Sequence, residues 1–138
     1  MDNMIQYTCT SEGITPDKLA GFFEGWPNPP SPETHLRILE GSDHIVLAID
    51  QGTGAVVGCI TAISDGVLTA YIPMLEVLAA YRGVGMGSEL VRRMLDQLGD
   101  LYAIDLLCDA DVQPFYARLG MQPCPAMMVR NYARQSGE

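Results

Sequence analysis

The chain has 138 residues, the length of one ordinary domain with its own hydrophobic core. Hydrophobic residues make up 48% and charged residues 18%, which excludes a disordered chain. The formal net charge of −9 argues against a nucleic-acid binder, because such a protein needs a basic face. The sequence contains no apolar run of the roughly 18 residues that a membrane span needs and no signal-peptide pattern, so we expect a cytoplasmic protein.

The first half of the chain alternates apolar runs with turn signals. Residues 4–10 predict a strand, and TPDKLAGFFEG at 15–25 predicts a helix with a proline in its first turn. A proline-rich connector follows, after which a second helix begins at Ser31 or Pro32. The apolar runs on either side of the QGTG turn predict an antiparallel hairpin over 44–64.

The second half adds strands and helices in alternation. A long strand is predicted at 67–78, although Pro73 removes a ladder hydrogen bond and so indicates an edge, a bulge or a local break. The remaining predicted elements are a helix at 86–98, a strand at 101–108, a helix at 111–120 and a final strand at 126–132. The strand–helix–strand order across 70–108 implies one parallel pair in a mostly antiparallel sheet, hence an α+β (mixed α/β) domain.

In the segment AAYRGVGMGSEL, glycine occupies three alternate positions, Gly83, Gly85 and Gly87, just before the predicted helix. The dinucleotide fingerprint G-x-G-x-x-G fails, because its third glycine would fall on Ser88 or Leu90. A P-loop fails as well, because the segment has no lysine. A glycine turn before a helix can still direct backbone N–H groups at a phosphate. On spacing alone, a tight turn that only allows close packing is an equal alternative.

Two motifs in the right order give this segment a more specific meaning. The pattern Arg82-x-x-Gly-x-Gly lies in LEVLAAYRGVGMGSELVRRML, and 75–95 resembles motif A of the GNAT superfamily of acyl-CoA-dependent N-acyltransferases. DLLCDADVQPFYARLGM at 105–121 resembles motif B of the same superfamily. The chain departs from the family pattern at Ala79, where many members have proline. Its tail after Gly120 leaves room for about one strand where the family often has two, which bears on the acceptor pocket.

The resemblance implies a single GNAT-like domain over 1–138 that moves an acetyl group from acetyl-CoA to a primary amine in a ternary complex, without a metal. Its sheet would have one parallel, splayed strand pair and flanking helices. The pantetheine would run along 72–78, with a backbone N–H near Leu78 polarising the thioester carbonyl. A non-catalytic acyl-CoA-binding or sensing module on the same fold is the alternative. The implied cofactor-binding residues are Val77, Leu78, Ala79, Arg82, Gly83, Val84, Gly85, Met86, Gly87 and Ser88.

The catalytic candidates also follow from the resemblance. Tyr116 in F-Y-x-x-x-G matches the family tyrosine that protonates the CoA sulfur, with core packing as the structural alternative. Glu76 and Asp105 are the candidate bases, and each could instead be a surface charge or a structural hydrogen-bond partner. His35 and His44 are weaker candidates.

The expected acceptor is a small-molecule or peptide amine, and the acidic balance favours a cationic one. Trp26, the only tryptophan, lies in the proline-rich connector and either lines the acceptor pocket or holds that loop on the core. Expected partners include a second copy in a homodimer, but no nucleic acid and no membrane. The four cysteines lie far apart in sequence and have no C-x-x-C pair, which argues against zinc.

Overall fold

A five-stranded sheet forms the centre of the fold. The computed structural model describes residues 4–138. The strands lie side by side in chain order, and every neighbouring pair is antiparallel except the last, which is parallel. This confirms the predicted mixed sheet with one parallel pair. The strands are β1 (Ile5–Thr8), β2 (His44–Asp50), β3 (Val56–Ser64), β4 (Thr69–Val77) and β5 (Ala103–Leu106).

Within residues 4–138, three α-helices and four 3₁₀ turns connect and cover the strands. The second α-helix begins after Gly85, whose φ of +89° is a left-handed conformation that favours glycine. No helix in residues 4–138 has both the length and the apolar character needed to cross a bilayer. The helices are α1 (Pro32–Gly41), α2 (Met86–Gln97) and α3 (Gln113–Ala117), and the 3₁₀ turns are Pro16–Leu19, Ala79–Tyr81, Ala110–Val112 and Tyr132–Arg134.

The sheet separates two apolar clusters, because successive side chains of a strand point to opposite faces. On one face, Val46 and Ala48 of β2 pack with the apolar stripe of α2. On the other face, Ile45 and Leu47 pack with Leu39 of α1 and with the segment before it. The apolar stripe of α2 is thus the buried face of this helix. Its fully buried members are Met86, Leu90, Val91, Met94 and Leu98.

The helix predicted over 15–25 is wrong beyond its first turn. Only Pro16–Leu19 is helical, as a 3₁₀ turn. The next residues cannot continue a right-handed helix, because Gly21, Phe23 and Gly25 have φ values of +95°, +62° and +82°. The apolar residues of this segment are nevertheless buried, as a folded loop.

The strand predicted over 126–132 is also absent. These residues form no ladder, and only Tyr132–Arg134 adopts a regular turn. A strand is stable only when a neighbour satisfies its backbone groups, and no strand in the described part of the chain pairs with this segment. An apolar pattern alone therefore does not determine a strand here.

The parallel pair separates part of the way along β4. Its pairing runs from Thr69 opposite Ala103 to Ile72 opposite Leu106, but β4 continues to Val77. Pro73 follows the last parallel pair, at the position where the β3–β4 register also shifts. This agrees with the bulge or break that the proline indicated, and it leaves a gap between the ends of β4 and β5.

Candidate active site

The gap between β4 and β5 holds a cavity of about 200 Å³, called the notch below. Its walls come from the free part of β4, from the end of β5, from α3 and from the loop that precedes α1. Most of its side chains are apolar or aromatic, and the exception with a formal charge is Glu76. The notch is lined by Phe23, Trp26, Ile72, Pro73, Met74, Leu75, Glu76, Leu106, Leu107 and Tyr116.

A glycine turn leads from β4 into α2. Gly83 and Gly85 have φ values of +82° and +89°, and a Cβ on either would meet no atom within 4 Å. Glycine is therefore required there by the backbone conformation and not by packing. The first backbone N–H with a helical partner is that of Glu89, which donates to Gly85 O at 3.1 Å. The preceding N–H groups of α2 are thus free to bind an anion.

Close packing fixes the position of this helix N-terminus. A Cβ on Gly58 of β3 would lie 3.0 Å from Met86 Sδ and 3.1 Å from Leu90 Cδ1, so α2 lies directly on the sheet. A Cβ on Gly87 would meet the Phe115 ring at 3.5 Å, an ordinary contact that brings α3 beside the first turn of α2. The glycine turn and α3 are therefore held in one arrangement.

The free edge of β4 offers backbone groups to the notch side. Leu78 N–H donates to Val57 O at 2.9 Å, towards β3. Because backbone groups alternate in direction along a strand, those of Val77 point the other way, towards the gap. Leu78 therefore cannot supply the free N–H that was expected near it, and the N–H of Val77 has the required direction.

Arg82 contacts the edge where the pantetheine was expected to run. Its Nε donates to Val77 O at 2.8 Å, and its second guanidinium nitrogen pairs with Glu24 Oε2 at 2.6 Å. Both side chains of the pair are about half exposed, so the pair itself adds little to stability. The contact nevertheless shows that Val77 O is an accessible acceptor at the edge.

Tyr116 lies on α3 and lines the notch. Its ring packs edge-on against Phe115, with centroids 4.9 Å apart. Burial raises the pKa of its hydroxyl, and the nearby Cys108 raises it further. Tyr116 thus stays protonated at neutral pH and can donate a proton into the notch.

Glu76 holds the loop before α1 that forms one wall of the notch. Its carboxylate accepts hydrogen bonds from the backbone N–H groups of Phe23 at 2.8 Å and Glu24 at 3.3 Å. These bonds fix Phe23 in its left-handed conformation, with φ of +62°, which is costly for a residue other than glycine. The structural hydrogen bond foreseen as an alternative for Glu76 is therefore present, at the wall of the notch.

Asp105 and the two histidines lie apart from the notch. Asp105 is exposed on β5 and lines a second, larger groove on the far side of that strand. His35 is fully buried between Phe22 and Phe23, and His44 contacts Gln97 at the start of β2. The structure thus brings Tyr116 and Glu76 together and leaves the other candidates outside.

Two further contacts shape the site. Phe23 joins Trp26, with ring centroids 5.0 Å apart, to form an aromatic wall of the notch. The hydroxyl of Tyr81, in the turn before the glycines, donates to Asp50 at 2.5 Å and ties the turn to β2. The Tyr81–Asp50 bond joins residues 31 positions apart, which no local pattern encodes.

Family comparison fits this geometry. A family model described as acetyltransferase (GNAT) family matches residues 12–121. The chain belongs to the GNAT acetyltransferase family. This confirms the resemblance seen in the two motifs, and it places the notch and the glycine turn within a known class of acetyltransferase domain.

Solved GNAT structures support the assignment. A candidate acetyltransferase from Deinococcus radiodurans R1 is 55% identical, covering 96% of this chain and 92% of that one, with a TM-score of 0.93. The GNAT-family protein SP0256 from Streptococcus pneumoniae TIGR4 is 27% identical, covering 93% and 98%, with a TM-score of 0.74. Glucosamine-6-phosphate N-acetyltransferase from Arabidopsis thaliana, 18% identical over 93% and 98% with a TM-score of 0.70, shares the fold. No curated protein sequence matches the chain.

Within residues 4–138, no three His, Cys, Asp or Glu side chains lie close enough together to hold a metal ion. The groups that the notch does offer are a phenol, a carboxylate and backbone amides.

Proposed function

We propose that this protein transfers an acetyl group from acetyl-CoA to a primary amine. The observation that carries the proposal is the arrangement around the notch. Tyr116, which stays protonated, and the Glu76 carboxylate both line the notch. The helix that carries Tyr116 contacts the first turn of α2, which follows the glycine turn and has free N–H groups. Membership of the GNAT family gives this arrangement an acyl donor.

The chain's own groups fit the donor. The N–H groups of Gly83, Val84, Gly85, Met86 and Gly87 would bind the pyrophosphate, assisted by the partial positive charge of the α2 N-terminus. Along the free edge of β4, Val77 would bind the pantetheine amides through its backbone. Arg82 would then exchange its bond with Val77 O for a contact with a phosphate.

Proton transfer in the notch falls to two side chains. Tyr116 would donate a proton to the departing thiolate, because its phenol is protonated at neutral pH. Glu76 would accept the proton of the amine through a bridging water. Each oxygen of an ionised carboxylate has two acceptor positions. The loop N–H groups use one position on each oxygen, so the second position remains for the water.

The shape and lining of the notch favour a narrow amine that carries apolar groups next to its nitrogen. Its volume of about 200 Å³ leaves little room beyond the acyl group, and Phe23, Trp26 and Pro73 present flat apolar surfaces. The net charge of −9 attracts cationic acceptors at long range. We therefore propose a slender primary amine, either a small molecule or a peptide amine, as the acceptor.

Two measurements test this function. Saturating acetyl-CoA should raise the melting temperature, because a ligand that binds the native state stabilises it. Thiol release from acetyl-CoA should then appear with at least one member of a panel of small amines and peptides. The absence of any stabilisation would contradict the proposal. Stabilisation without thiol release across the panel would favour the acyl-CoA-binding module instead.

A further inference from the structure

One arginine joins the free edge of β4 to the loop that forms a wall of the notch. The Arg82 guanidinium donates from Nε to Val77 O at 2.8 Å and from Nη2 to Glu24 Oε2 at 2.6 Å. Val77 follows Glu76, which lines the notch, and Glu24 follows Phe23, which lines it as well. A single cationic group therefore lies between the proposed donor edge and the loop beside the acceptor cavity.

The backbone of Glu24 fixes where its carboxylate lies. Its N–H donates to Glu76 Oε2 at 3.3 Å, and the N–H of Phe23 donates to the other oxygen of the same carboxylate at 2.8 Å. The side chain of Glu24 takes no part in these bonds and is 57% exposed. Among residues 4–138, Arg82 is its one ionic partner. The loop thus places a carboxylate beside the notch, and a single cation balances its charge.

We propose that the Glu24 carboxylate binds the second ammonium group of a diamine acceptor, once the donor has drawn Arg82 away from it. This inference rests on the proposed function, in which the pantetheine binds at Val77 and a phosphate attracts Arg82. The exchange costs little, because both side chains of the ion pair are about half exposed. Glu24 then has lost its cation, and the acceptor supplies the replacement.

A linear diamine matches the lining of the notch. The aromatic rings of Phe23 and Trp26 would pack against its methylene chain. The reacting nitrogen would lie near Glu76, the charged residue of the lining. A second ammonium group inside this apolar cavity would be costly, because it would lose its water without gaining a partner. At the exposed Glu24 it would keep part of its hydration and gain an opposite charge.

The exchange makes the donor and the diamine bind cooperatively. Without the donor, Arg82 competes with the ammonium group for the Glu24 carboxylate. With the donor bound, that competition ends, and linkage requires the diamine to favour donor binding by the same factor. A monoamine has no group that reaches Glu24, so this coupling is specific to the second charge.

Calorimetric titration tests the subsite without turnover. CoA serves as the donor probe because it cannot react, and diaminobutane and butylamine serve as the acceptor probes. The wild type saturated with CoA should bind diaminobutane about tenfold more tightly than butylamine, and about tenfold more tightly than it does without CoA. In Glu24→Gln, both ratios should fall to within about twofold of unity. Glu40→Gln, which neutralises an exposed glutamate of α1, is the matched control and should keep the wild-type ratios.

Arg82→Gln tests the exchange itself. Because this variant leaves Glu24 without its ionic partner, it should bind diaminobutane without CoA as tightly as the CoA-bound wild type does. Equal affinities of the CoA-bound wild type for the two amines, or a diamine preference kept by Glu24→Gln, would overturn the proposal. Failure of the wild type to bind CoA would overturn it as well.

Turnover separates this proposal from the proposed activity. Acetyl transfer to butylamine and diaminobutane with equal kcat/KM would leave the activity standing and overturn the role of Glu24. A diamine preference in calorimetry without acetyl transfer to any amine would contradict the activity and support the subsite.

Discussion

His35 makes the stability of this protein sensitive to mild acid. The side chain is fully buried, with its ring 5.0 Å from that of Phe22 and 4.9 Å from that of Phe23. Its Nδ1 has no hydrogen-bond partner among the described residues, and Nε2 lies 3.8 Å from Cys59 Sγ. Burial lowers the pKa of His35 to about 4, because removal from water disfavours the imidazolium.

The sign and size of the effect follow from linkage. The unfolded chain binds a proton at His35 with a pKa of about 6.5, whereas the folded chain does so only near pH 4. The contribution to stability is fully present above pH 6.5 and is lost as the pH falls towards 4. Between pH 7 and pH 5, the free energy of unfolding should fall by about 2 kcal/mol from this residue alone.

Urea unfolding followed by circular dichroism at several pH values measures this contribution. His35→Leu keeps a similar volume and removes both the titration and the unpaired ring nitrogen. Between pH 7 and pH 5, the free energy of unfolding of His35→Leu should therefore fall by about 2 kcal/mol less than that of the wild type. His44→Gln is the control, because it removes the other histidine and should keep the wild-type pH dependence. Parallel curves for the wild type and His35→Leu would refute the reasoning.

Three further substitutions test the site and its support. Tyr116→Phe should lower kcat by about 100-fold or more while acetyl-CoA still raises the melting temperature; an unchanged kcat would remove Tyr116 from the acid role. Gly85→Ala should cost about 1 kcal/mol in urea unfolding and reduce the acetyl-CoA shift, because its φ is +89°. Gly41→Ala, with ordinary φ and open space, is its control and should lose nothing. Gly58→Val should cost about 1 to 3 kcal/mol by forcing Met86 from the sheet, and a smaller loss would mean that α2 shifts freely.

Elements with a full local pattern were predictable from the sequence. The structure has β2 at His44–Asp50, β3 at Val56–Ser64 and α2 at Met86–Gln97, close to the predicted bounds. Each combines a clear apolar period with turn residues at its ends, so local and tertiary preferences agree.

The elements that were predicted wrongly from the sequence lie where tertiary contacts determine the conformation. The apolar residues in 15–25 have helical spacing. The loop conformation there nevertheless depends on the Glu76 carboxylate, 53 residues from Phe23. The segment 126–132 has a strand pattern, but no strand among residues 4–138 pairs with it. For the site, the motifs identified the glycine turn and Tyr116, whereas the direction of the Val77 and Leu78 backbone groups depends on β3.

Trp26 gives the protein a built-in optical reporter. It is the only tryptophan, it is 45% exposed, and it forms part of the notch wall against Phe23. Any molecule that enters the notch displaces water from its indole ring, so the intrinsic emission of the unlabelled chain follows occupancy of the notch directly. An amine too slow to be detected by turnover can therefore be ranked by fluorescence titration, with a signal that arises from a single position.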